Sequence, residues 1–182
     1  MRDLHVYGLL VVTLMLSGCE KHCEKQYAAP EDQPVLFEYR YMNHAWGYSD
    51  HGWLIDGEGD VRRYDLPEEF RLPDSMGYIT AEDLIHNLSQ SDSIIGSIKT
   101  NDLDYYIGLI SGASEGKISK SENVAFDAGS SVLSCYQYDA DREMYQYVFL
   151  ASSGDWEQSN NSPEAKILVD WLKEFGVFWL AI

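Results

Sequence analysis

Three strings in this sequence carry residue types that do chemistry, and each falls short of what that chemistry requires. Asp56, Glu58 and Asp60 alternate as the first ligands of a calcium loop do. Such a loop needs glycine at its sixth position and glutamate at its twelfth, where this chain has Val61 and Pro67. A glycine-rich hairpin turn fits better. Ser114-Glu115-Gly116-Lys117 sets a hydroxyl three residues ahead of an amine, a nucleophile and base spacing, but no Lys-Thr-Gly follows. His22, beside Cys19 and Cys23, brings zinc-type donors together, yet too few of them; His44, His51 and His86 are scattered. Neither a metal nor another cofactor is expected. Without a Gly-x-Ser-x-Gly string or a cysteine in an activating context, no catalytic residue is assigned.

The densest aromatic stretch is Tyr39, Tyr41, His44, Trp46, Tyr48, His51 and Trp53. Tyrosine and tryptophan join a large apolar face to a polar tip, which suits a contact surface. Trp46, Tyr48 and Trp53 are the candidate binding surface. The competing expectation is that alternate members of the run face the core of a hairpin.

The anchor, by contrast, is spelled out. Val6 to Leu16 is an uncharged apolar run of eleven residues, too short for the roughly 20 that span a bilayer and of the length of a secretory signal. Leu16-Ser17-Gly18-Cys19 closes it and resembles the lipobox of bacterial lipoproteins. That resemblance implies removal of residues 1–18, a lipidated Cys19 at the new N-terminus, and a place in the bacterial cell envelope, on the outer membrane or the outer face of the plasma membrane. Two or more acyl chains anchor stably where one does not. Assigning Cys19 to lipid leaves Cys23 and Cys135 either as a disulfide pair in an oxidising compartment or as independent thiols.

Thirteen basic against thirty acidic residues give a net charge of −17. Nucleic acid repels such a chain, so it is excluded as a partner. The acidity serves either solubility or a basic partner. Glu58, Asp60, Asp65, Glu68 and Glu69 form the densest acidic group in the sequence. With 13% aromatic residues the chain has material for a core.

Residues 19–34 are polar and aperiodic, as a tether would be, and 35–182 form one α+β domain. Val35–Tyr41 has strand composition; Gly52–Ile55 and Val61–Leu66 flank a glycine-rich turn, and Ser131–Tyr138 with Glu143–Ala151 make a second antiparallel hairpin. Thr80 caps a helix over Ala81–Ser89 with Leu84, Ile85 and Leu88 inward. Asn101 caps another over Asp102–Ser111, which Gly112 ends. Ser162-Pro163-Glu164 starts the C-terminal amphipathic helix, whose stripe is Ile167, Leu168, Trp171, Leu172 and Phe175 and whose end is Gly176. Val177–Ile182 then form a buried strand or packed tail. The expected architecture is thus two hairpins and two to three helices. The expected function is that of a non-enzymatic envelope lipoprotein binding a protein partner, a basic one if the charge steers. The alternative is a glycan-binding or glycan-processing module using the Trp46–Trp53 segment with Asp50 or Asp56.

Overall fold

The computed structural model describes residues 27–179. In chain order the elements are β1 (Val35–Asn43), β2 (Ser49–Asp56), β3 (Asp60–Asp65), β4 (Tyr78–Ile79), α1 (Ala81–Ser89), β5 (Ser93–Ser97), α2 (Thr100–Ile107), α3 (Ile110–Ser114), β6 (Glu122–Asn123), β7 (Ser130–Asp139), β8 (Met144–Gly154), β9 (Trp156–Ser159) and α4 (Pro163–Trp179). The fold is α+β. Both expected hairpins are present, β2–β3 and β7–β8, but they belong to one nine-stranded antiparallel sheet in the order β5-β3-β2-β1-β7-β8-β9-β6, with β4 also on β8. The join is β1 against β7, Phe37 opposite Cys135 through Met42 opposite Ser130. Two isolated hairpins could not bury both of their faces; one sheet covered by helices can.

Side chains alternate across that sheet with the strand period of two. Phe37, Trp53, Ile55, Leu133, Cys135, Val148 and Leu150 enter one core, closed by Leu103 and Ile107 of α2, Ile110 and Ala113 of α3, and Leu168, Trp171 and Leu172 of α4. Leu54, Tyr64, Tyr136 and Tyr145 enter a second core on the other face, under Leu84 of α1, with Ile79 and Phe70. A bulge between Val35 and Phe37 adds a residue and so sends Val35 to the second core and Phe37 to the first.

α1 has the expected bounds, and the Thr80 hydroxyl accepts the Asp83 amide at 3.1 Å. Ile85, however, is exposed, and Asn87 takes the inward place, bonding the Arg71 backbone through both its carboxamide oxygen and nitrogen. The second helix is corrected at both ends. It starts at Thr100 with no side-chain cap, breaks at Gly108, and resumes as α3, which contains Gly112. α4 begins as expected, with Ser162 Oγ accepting the Ala165 amide at 3.0 Å. It runs through Gly176 to Trp179 instead of stopping, since one helical glycine costs only about 1 kcal/mol. The expected terminal strand is therefore helical as far as Trp179. Ile167 is exposed rather than on the stripe, and the side chain of Phe175 lies outside the described residues.

The packed domain also starts earlier than Val35. Gln33 is buried and its amide nitrogen donates to the carbonyls of Val35 and Tyr136, both at 2.9 Å. Tyr27 donates to Gln33 at 2.6 Å and accepts the Tyr138 amide at 2.9 Å. These are polar attachments, which a search for apolar periodicity passes over.

Candidate functional site

Because the sheet is antiparallel, its loops collect at two ends. Tyr27, the Asp56–Asp60 turn and the β7–β8 turn share the end from which the chain comes. At the other end, about 30 Å away along the nine residues of β1, lie the β1–β2 loop, the β6–β7 loop and the β8–β9 turn.

Large apolar side chains face solvent at this distal end, as they also do elsewhere at Leu72, Met76, Ile85, Ile94 and Tyr105. Trp46 is 84% exposed and Phe126 85%, with Tyr48, Val124 and Trp156 each more than half exposed. The loops carrying them are held rather than loose. Asn43 donates to the Asp127 carbonyl at 3.2 Å and Tyr41 to the Ala128 carbonyl at 3.2 Å. The Asp155 carboxylate accepts the Ala128 amide at 2.8 Å, and Asn123 donates to the Asp155 carbonyl at 2.9 Å. Asp127 and Gly129 take positive φ, 62° and 78°. A side chain at Gly129 would meet the Met42 carbonyl at 2.6 Å, so glycine is required for this close approach.

Tyr48 is fixed from below. Its hydroxyl donates to Asp50 Oδ2 at 2.9 Å, and Asp50 is in turn clasped by Arg40 through two bonds of 2.9 and 2.6 Å. Asp50 and Arg40 are buried, with the guanidinium 4.4 Å above the Phe70 ring. Two strand positions before Arg40, Glu38 accepts a hydrogen bond from Tyr136 in the second core. Burial pushes the Glu38 carboxyl above its ordinary range, against the opposing pull of Tyr136 and Arg40.

The expected surface of Trp46, Tyr48 and Trp53 is thus divided. Trp46 and Tyr48 face outward, but Trp53 is 4% exposed and stacks on Tyr39 in the first core at 5.7 Å. Strand alternation turns it inward. Val124, Phe126 and Trp156 were missed because they reach this end only through long-range strand pairing. The acids Asp50 and Asp56 are both committed: Asp56 accepts the Glu58 and Asp60 amides and pairs with Arg62 at 2.6 Å. The acidic group is also split by β3, whose five residue steps put Asp65 about 17 Å from Asp60. Asp60 lies 3.8 Å from Arg62, and Glu69 lies 3.1 Å from Arg71. Cys135 is a free thiol, wholly buried in the first core, and burial pushes its pKa up; Cys19 and Cys23 lie outside the described residues.

No family model, curated protein or solved structure matches the chain. Among the described residues no helix is long and apolar enough to cross a membrane.

Proposed function

We propose that the chain is an envelope lipoprotein, held by lipid on Cys19, whose α+β domain binds a basic protein partner through its distal aromatic end. One observation carries this reading: five large apolar side chains, on the β1–β2 loop, the β6–β7 loop and the start of β9, are exposed at the end of the sheet opposite Tyr27. Exposed apolar groups gathered in one place mark contact surfaces, and tryptophan and tyrosine supply most of the energy where they are buried on binding. A chain tethered near Tyr27 presents that end outward. The charge of −17 favours a basic partner and speeds its encounter. The glycan alternative loses its support at this segment, since Trp53 is in the core and Asp50 and Asp56 are engaged in ion pairs.

Two experiments address the two halves of the proposal. Cys19→Ser removes the sulfur to which lipid would attach. The variant should lose palmitate labelling and leave the membrane fraction; labelling that persists disproves the anchor. For the partner, the full chain and its Trp46→Ser/Phe126→Ser variant are compared in affinity capture, and the variant should fail to retain what the parent retains.

A further inference from the structure

On the helix-covered side of the sheet, a groove of about 850 Å³ runs between α4 and the strands β8 and β9, a size within the range of small-ligand sites. Its cations are Lys120, Lys166 and Lys173, all exposed. Among the described residues none of these three is in an ion pair, although Arg40, Arg62, Arg71 and Arg142 all are. On so acidic a chain, three amines against the two carboxylates of the same lining, Glu122 and Glu157, leave this groove with a small excess of positive charge.

Helix α4 sorts its charges in the same sense. Lys166 and Lys173, seven residues apart, are separated by about 10 Å along the axis and line the groove with Val169 between them. Glu164 packs against Gly112 of α3, and Glu174 acts on Tyr106 of α2; Asp170, four residues after Lys166 and three before Lys173, neighbours both lysines on the helix surface but does not line the groove. The groove's own acids are Glu122 and Glu157, directly opposed across β6–β9, where like charges repel. They make the sheet wall anionic while the helix wall is cationic. The rest of the lining joins serine and amide side chains, including Ser119, Ser152, Gln158 and Asn161, to the apolar Leu150, Ala151, Pro163 and Val169, with no aromatic ring.

We propose that this groove binds an acidic oligosaccharide. Two amines spaced along a helix match acid groups on separate sugar units rather than one small anion, and charge-assisted bonds to carboxylates are the strong contacts. Ser152 and Asn161 can meet the hydroxyls between them, while Ser119 and Gln158 are already bonded within the protein. An extended peptide would need side-chain pockets for its specificity, which this lining does not offer. The site is separate from the distal aromatic end and stands whether or not that end binds a protein.

The test is calorimetric titration of the full chain in detergent micelles with tetragalacturonate. Maltotetraose serves as the neutral sugar and tetraglutamate as the acidic peptide. Tetragalacturonate should bind saturably, more weakly in about 0.5 M salt, and about tenfold or more weakly to Lys166→Gln/Lys173→Gln. Lys99→Gln, an exposed lysine outside the groove, should stay within about twofold of the parent. Both groove lysines are exposed, so unchanged thermal unfolding should accompany the loss. The proposal is overturned if tetragalacturonate does not bind, if maltotetraose or tetraglutamate binds as tightly, or if the double variant binds as the parent does.

Discussion

Replacing Trp171 by alanine should lower the unfolding free energy by about 3–5 kcal/mol, the range for removing a buried large aromatic. Trp171 is 7% exposed and holds three elements together. Its ring packs T-shaped with Phe37 from β1 at 5.1 Å and stacks on Tyr106 from α2 at 3.8 Å, nearly parallel at 8°. Each such pair contributes about 0.5–1.5 kcal/mol beyond the area it buries. Because the ring packs at once against β1 of the sheet and against α2, the hole cannot collapse without moving one of them. Lys173, two residues on and exposed, should tolerate alanine within about 0.5 kcal/mol. Denaturant unfolding of both variants checks the pair. A loss under about 1 kcal/mol at Trp171 would mean that α4 does not seat on the sheet as described.

Asp50→Ala should cost a comparable amount, about 3–5 kcal/mol, for an electrostatic reason. The substitution leaves the Arg40 guanidinium buried over Phe70 with its principal counter-charge gone, and breaking one side of a buried pair is far more costly than the pair is worth. The double replacement Arg40→Met/Asp50→Leu should recover most of the loss, because it removes the stranded charge as well. Urea unfolding of the single and double variants forms the comparison. Equal losses in both would show that the effect is packing, not charge. Asp50→Ala also takes away the acceptor of the Tyr48 hydroxyl, so it should loosen the β1–β2 loop at the distal end.

Legibility followed range along the chain. Thr80 with Asp83, and Ser162 with Pro163, mark helix starts through contacts three residues away, and both caps form. The strands of the two hairpins were visible through composition and turns. What local pattern could not carry was the β1–β7 pairing, where Phe37 meets a residue about a hundred positions on; that pairing merges the hairpins into one sheet. β4 and β6 are two residues each, too short for any period to register. Trp53 shows the limit on the site itself. Aromatic density identified the segment, but which face each ring takes depends on strand phase, and phase depends on the neighbours across the sheet. Phe126 and Trp156 join Trp46 for the same reason, through the pairing of β7 with β1 and β8 and of β6 with β9. Gln33 and Tyr27 extended the domain into the expected tether by hydrogen bonds alone.

The central claim is that the distal aromatic end is the contact surface, and affinity capture with the full chain tests it most directly. The parent, Trp46→Ser/Phe126→Ser and a control altered at the opposite end, Glu58→Gln, are compared at low and high salt. Exposed substitutions of this kind leave stability nearly unchanged, so any difference reports the surface. The account predicts that the parent and the Glu58→Gln control retain the same basic protein, less of it at high salt as screening shortens from about 30 Å to about 8 Å, and that the double variant retains none. Retention undiminished in Trp46→Ser/Phe126→Ser would contradict it.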